Sequence, residues 1–247
     1  MSLFIGTSGW QYKDWKAAFY PREMTQDDWL GYYSSRFRSV EVNNTFYRLP
    51  PLETFERWAD RVPDDFVVTV KMSRYLTHIK RLKDPQEPVE RFLSRCRGLG
   101  PKLGPVLLQL PPNLQADPEL LLRTLELIPS QLRVAVEFRH ASWFTETTRQ
   151  VLEQRGAAWC LADRGSRPKG PVWRSADWGF LRMHEGSAKP HPCYGDGALK
   201  SWAFRIADMW DPAADVFVYF NNDHKACAVR DAARFTVIAE AVGLVTE

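Results

Sequence analysis

The sequence predicts an α/β fold: a single-domain (β/α)8 TIM-type barrel spanning residues 1–247, with its sixth helix poorly formed. Three observations lead there. Short strand-like runs recur eight times, and stretches of helical pattern separate most of them. No G-x-G-x-x-G or G-x-x-x-x-G-K-[ST] loop follows any strand, as a doubly wound nucleotide-binding sheet would be expected to carry. The chain has 247 residues, a usual size for such a barrel.

The strand-like runs are "LFIGTSG" (3–9), "SVEVNNTF" (39–46), "FVVTVKMS" (66–73), "VLLQLPP" (106–112), "RVAVEFRH" (133–140), "AAWCLAD" (157–163), "GFLRMHE" (179–185) and "VFVYFNN" (216–222). Several of them alternate apolar with polar residues. Helical patterns cover 27–37, 51–62, 87–99, 117–128, 145–156, 198–210 and 227–244. Gly156 is a plausible stop for the fifth of these. Between the sixth and seventh strands "RGSRPKGPVWRSADW" reads as loop, rich in Gly, Pro and Ser. No linker long enough to divide the chain is evident.

Composition narrows the class. Apolar residues make up 45% and charged residues 26%, as in an ordinary globular protein, and the net charge of +3 does not by itself imply nucleic acid. The N-terminus lacks the basic and apolar regions of a signal peptide, and no run of about 18 apolar residues occurs, so no membrane span is expected. The four cysteines, at 96, 160, 193 and 227, form neither a zinc pattern nor a dense disulfide framework. Reduced thiols in a cytoplasm are the simplest reading. Ten tryptophans is a high number, and part of that excess is expected in a ligand site.

Strand parity then selects candidate site residues. Successive side chains on a strand point to opposite faces. With Val40 and Val42 outward, Glu41, Asn43 and Thr45 turn in; by the same rule so do Thr69 and Lys71, Gln109, Glu137 and Arg139, Arg182 and His184, and Tyr219 and Asn221. Asp163 ends the sixth strand, while Thr7, Ser8 and Trp10 end the first. Residues near the C-terminal strand ends of a barrel meet its active site. Each polar residue alone could be a structural hydrogen bond, and the Glu137–Arg139 pair a buried ion pair that sets register. Together they predict a site.

The segments "GTSGWQYKDWKAAFYP", "VEVNNTFYRLP", "VVTVKMSRYLTH", "LLQLPP", "VAVEFRHASW", "LRMH" and "VYFNND" resemble, in order along nearly the whole chain, the signatures of domain of unknown function 72, the YecE-like family. The resemblance implies a TIM-type barrel and no established reaction. Likeness of the barrel to endonuclease IV and sugar isomerases suggests a nucleic-acid or sugar role by fold analogy alone. The last segment reads "NNDHKACAVRDA", so Asp231 stands where the family more often shows Asn.

Chemistry follows from the residue types. His184 is the one histidine with inward strand parity; His140 ends a strand, and His78, His191 and His224 lie in loops. With Lys71, Arg139 and Arg182 also inward, a multinuclear zinc site is not expected, and no cofactor is called for, although a single Mg2+ on Glu41, Glu137 or Asp163 is compatible with the sequence. Ser8 has no evident histidine partner, and none of the four cysteines lies on a clear inward end, so a covalent nucleophile is weakly supported. Acid–base chemistry fits better, with Glu137, Lys71, His184, Glu41 and Asp163 as catalytic candidates. Arg139, Arg182, Thr7, Ser8, Trp10, Asn43, Tyr47, Gln109, His140, Trp143, Tyr219, Asn221 and Asn222 are the binding candidates. Basic loops at 71–83 and 164–174 lie on the same face and, with Trp10, Tyr12, Trp15, Tyr47 and Trp143, suit an anionic, planar ligand.

The expected function is a metal-independent hydrolase or lyase acting on a small anionic substrate, a sugar phosphate, a nucleotide or a nucleic-acid fragment. The alternative is a non-catalytic nucleic-acid-binding protein that uses the basic loops. The oligomeric state is left open.

Overall fold

Runs such as Val134–Glu137, buried at every position, form strands that pack on both faces. A computed structural model describes all residues, 1–247. In chain order the elements are β1 (Ser2–Ser8), α1 (Trp29–Ser34), β2 (Ser39–Val42), α2 (Asn44–Tyr47), α3 (Leu52–Asp60), β3 (Val67–Lys71), α4 (Gln86–Cys96), β4 (Leu103–Gln109), α5 (Pro118–Glu126), β5 (Val134–Glu137), α6 (Glu146–Gln154), β6 (Ala158–Trp159), β7 (Leu161–Arg164), β8 (Pro168–Lys169), β9 (Gly179–Glu185), α7 (Asp196–Met209), β10 (Asp215–Phe220), α8 (Cys227–Ala241) and β11 (Val245–Thr246). The architecture is α/β.

The chain divides into two compact units: Met1–Glu41 with Leu161–Lys169 and Asp177–Glu247, and Val42–Cys160 with Gly170–Ala176. In the first unit the strand order is β2-β1-β10-β9-β7-β8, with β11 on the flank of β1. All of its pairs are parallel except β7 with β8. Gly6 sits where β1 meets β2, and a Cβ there would lie 2.1 Å from the Ser39 carbonyl oxygen. In the second unit β3, β4, β5 and β6 run parallel in sequence order.

Helix ends follow local chemistry. Asp117 caps α5, its Oδ1 accepting from the Leu120 N–H at 3.0 Å, with Pro118 at the first helical position. Thr145 caps α6 through the Thr148 N–H, and Gly156, with φ +56°, ends the turn beyond it as expected.

Several elements depart from the expectation. The second strand stops at Val42, and α2 takes over, because the Thr45 hydroxyl donates to the Val42 and Lys71 carbonyls. Asn43 and Thr45 are therefore not strand residues. The fifth strand ends at Glu137 and the eighth at Phe220, which puts Arg139, His140, Asn221 and Asn222 just past their strand ends. The sixth strand is two: β6 pairs with β5 and β7 with β9, the chain breaking step at Cys160. No helix forms between β7 and β9, as expected, but β8 adds a short hairpin there.

Candidate functional site

In the second unit, three adjacent strands deliver polar side chains at their C-terminal ends. Lys71 is the last residue of β3, Gln109 of β4 and Glu137 of β5. Gln109 and Glu137 are paired in register, and the Gln109 amide donates to Glu137 Oε2 at 2.9 Å. Arg139 Nε donates to Oε1 at 3.0 Å. The Glu137 carboxylate is 2% exposed, whereas the Arg139 side chain is 35% exposed. One end of this pair is thus enclosed and the other reaches solvent.

Helix α2 supplies the floor beside it. With the Thr45 hydroxyl on the Lys71 carbonyl, Phe46 lies under the Lys71 ammonium, 4.2 Å from Nζ to the ring centroid. The His78 ring meets the same phenyl edge-on at 4.9 Å. His78 sits in a π-helical turn, Tyr75–Ile79, that follows β3, and its Nδ1 lies 2.9 Å from the Thr77 hydroxyl. Burial together with the positive charges of Lys71, Arg139 and Arg74 pushes the His78 imidazole down to about 4. Three cations thus act on one neutral ring.

In the first unit the charged candidates and His184 fall into three groups. Glu41 and Arg182 form a bidentate pair, Nη2 to Oε1 at 2.7 Å and Nε to Oε2 at 2.9 Å, both fully buried. His184 Nδ1 lies 3.0 Å from the Asn221 amide, and both residues are half-buried. Asp163 is fully buried; its Oδ1 accepts from the Tyr194 hydroxyl at 2.9 Å and its Oδ2 from the Trp202 indole at 2.8 Å. Burial raises its pKa, against the pull of those two donors.

A family model described as "Protein of unknown function DUF72" matches residues 4–244. The chain belongs to the DUF72 family. UPF0759 protein YunF of Bacillus subtilis is 27% identical over 90% of this chain and 89% of its own. UPF0759 protein YecE of Escherichia coli K12 is 30% identical over 67% of this chain and 60% of its own. The crystal structure of a DUF72 family protein from Thermotoga maritima has a TM-score of 0.85 at 28% identity, covering 97% of this chain and 100% of that one. A DUF72 structure from Enterococcus faecalis, at 18% identity and a TM-score of 0.78, covers 96% and 95% and speaks for the fold alone.

Within this DUF72 chain, most of the other binding candidates lie in hydrogen bonds of the fold itself. The Thr7 hydroxyl donates to the Gly9 carbonyl and the Tyr33 hydroxyl, and Ser8 is buried with its carbonyl taking the Tyr12 hydroxyl at 2.5 Å. The Tyr219 hydroxyl meets the Ser39 hydroxyl in the core. The Asn222 amide ties the Pro192 carbonyl to Asp231. His140 Nδ1 caps the turn Ala141–Trp143 by accepting the Ser142 N–H. Asn43 is half-buried at the start of α2.

The expectation that tryptophans line the site is corrected. Trp10, Trp15 and Trp143 are 3% exposed or less. Trp143 stacks on Phe138 and donates its indole N–H to the Leu114 carbonyl, so the ring fills core volume. Of the aromatics expected at the mouth, Tyr47 stands out at 71% exposure. The basic loops are also partly committed: Lys80 pairs with Asp84, Arg81 donates to the Asn113 carbonyl, and Arg164 pairs with Glu185.

Two further readings change. Cys193 and Cys227 are joined in a disulfide, while Cys96 and Cys160 are free and buried. That corrects the view of four reduced thiols and removes the ground for placing the chain in a cytoplasm. No helix is long and apolar enough to cross a membrane. The carboxylates weighed for Mg2+ each have both oxygens on N–H or O–H donors. His78, set aside in the sequence as a loop histidine, is the residue missed. Its signal was position: it lies in the segment that follows a strand C-terminus, beside Lys71.

Proposed function

We propose that this DUF72 protein is an enzyme that binds a small anionic substrate at the C-terminal ends of β3, β4 and β5 and acts on it by metal-independent acid–base chemistry, as a hydrolase or lyase. The observation that carries the reading is the convergence of Lys71, Arg139 and Arg74 on His78 next to the enclosed Glu137 carboxylate. Lys71 and Arg139 hold the anion, a task for which a guanidinium and a desolvated ammonium suit phosphate or carboxylate oxygens. Glu137, oriented by Gln109 and Arg139, takes a proton from substrate or water. His78, neutral before the anion arrives, is the group whose charge the anion restores.

The reading takes the strands as the staves of a closed eight-stranded barrel in one domain, with β6 and β7 together as the sixth stave. It is supported by the parallel pairing of β6 with β5 and of β7 with β9, on either side of the step at Cys160.

The test is a panel of sugar phosphates, nucleotides and simple phosphate esters, scored first by thermal stabilisation and then by turnover. Glu137→Gln is expected to keep anion binding and lose turnover by about 100-fold or more. Lys71→Met is expected to weaken anion binding at least tenfold. If Glu137→Gln leaves turnover unchanged, the catalytic assignment fails. Binding of single-stranded nucleic acid with steep salt dependence and no turnover would favour the basic loops as a nucleic-acid surface instead.

A further inference from the structure

The Cys193–Cys227 disulfide has a cation at its side. It joins residues 34 apart, tying the β9–α7 loop to the head of α8. Cys227 is the first residue of α8, a 15-residue helix whose N-terminal dipole favours a thiolate. Arg230, one turn on, lays its Nη2 3.4 Å from Cys193 Sγ and 3.8 Å from Cys227 Sγ. The same guanidinium is anchored by the Lys225 and Ala226 carbonyls, at 2.9 and 3.4 Å. A fixed cation is thus held against both sulfurs. Cys193 is 5% exposed and Cys227 fully buried, so an incoming thiolate meets Cys193 first.

We propose that Cys193–Cys227 is a reversible dithiol–disulfide centre, opened by a small thiol of the glutathione class, with Arg230 and the start of α8 stabilising the departing Cys227 thiolate. The centre is separate from the anion site and does not depend on it. A thiolate RS− forms a bond to Cys193 Sγ, the Cys193–Cys227 bond breaks, and its electron pair leaves on Cys227 Sγ. A second RS− then attacks the sulfur of the R group in the mixed disulfide and releases Cys193 as a thiolate. In sum two RSH are oxidised to RSSR, and the cystine is reduced to two cysteines. These take the two protons, or one of them where Cys227 stays ionised and the other goes to solvent.

Opening the bond has a local consequence. Tyr194 adjoins Cys193, and its N–H donates to Asp231 while its hydroxyl donates to Asp163. The Asn222 amide holds the Pro192 carbonyl on the other side of Cys193. Loss of the crosslink leaves hydrogen bonds such as these, of which only that to Asp231 reaches α8, to hold the segment 186–195 in place, so reduction loosens that segment first.

The experiment equilibrates the full folded chain in glutathione buffers of graded oxidised-to-reduced ratio, traps thiols by alkylation and reads the species by mass. Natively purified protein is expected to show two alkylatable thiols in denaturant, Cys96 and Cys160, and to gain two more without unfolding as the buffer becomes reducing. Arg230→Met is expected to lower the reduced-to-oxidised ratio at a given buffer about tenfold, and Arg230→Lys to restore most of it, since the charge and not the shape does the stabilising. Hydrogen exchange of 186–195 rises on reduction of the wild type. Four reactive thiols in the protein as purified, reduction only after unfolding, or equal ratios for wild type and Arg230→Met would each overturn the proposal.

Discussion

Removing one member of the Glu41–Arg182 pair leaves the other charge in a site with no water to solvate it. Glu41→Gln is therefore expected to destabilise the fold by about 3–5 kcal/mol in urea unfolding, whereas replacing both partners by apolar residues of similar volume costs far less. That contrast separates a structural pair from a catalytic one, because the double replacement would abolish activity if Glu41 took part in chemistry. At His78 the sign of the pH effect is fixed by geometry. Its unfolded imidazole takes a proton near 6.5 and its folded one near 4, so stability falls as pH drops through that window. An anion held among Lys71, Arg139 and Arg74 reverses the repulsion and draws the proton in. Sulfate, which does not titrate here, is expected to bind more tightly as pH falls from 7 toward 4, by up to about tenfold per pH unit in calorimetry. His78→Gln flattens the dependence; an equally flat wild type would mean that the ring does not face the anion. Strand parity made Glu137–Arg139 legible in advance, as two polar side chains on one face. His78 was not legible, because loop geometry and a π-helical turn carry no periodicity to read.

Among the elements, β1 and β2 show how backbone approach limits sequence. Gly6 pairs with Ser39, and any Cβ at Gly6 runs into the Ser39 carbonyl. Gly6→Ala is expected to push β1 off β2 and cost several kcal/mol, of the order seen for overpacked cores, with a lowered midpoint in thermal unfolding. The eight expected strands are all present, and the seven helical patterns all contain helices, because both depend on buried apolar periodicity that the sequence displays directly. The boundaries were less legible. The run "SVEVNNTF" kept its alternation past Val42, yet one side-chain hydroxyl, at Thr45, bonded two carbonyls and turned the chain into α2. The tryptophan excess misled for a related reason: composition counts rings but says nothing of whether an indole N–H finds its acceptor inside, as that of Trp143 does at Leu114.

For the molecule as a whole, the response to pH gathers these local effects. Burial raises the carboxyls of Asp163, Asp223 and Asp231, so the folded chain keeps protons that the unfolded chain would release. Their contribution to stability is present in acid, below the unfolded carboxylate value, and is lost as pH rises through the folded values. Asp231 offers the cleanest check. Its Oδ2 accepts from both the Tyr194 N–H and the Asn222 amide, and an asparagine oxygen could accept the same two bonds without the charge. Asp231→Asn is expected to match the wild type near pH 4 and to gain on it, by about 1 kcal/mol or more, as pH rises toward 8. A variant that loses stability at pH 8 would show that the charge itself is needed.

The phenols extend the same logic to base. Tyr20, Tyr33 and Tyr194 are buried, and burial is the largest reason that each holds its proton beyond the ordinary phenol range. Tyr33 also gathers the Thr7 amide and hydroxyl and donates to the Ser39 carbonyl, so its proton is part of the β1–β2 seam. In an alkaline jump these three rings keep the spectrum of the neutral phenol while the chain is folded. Their tyrosinate absorbance then arrives only as the chain opens, which gives this protein a built-in optical clock for its own unfolding.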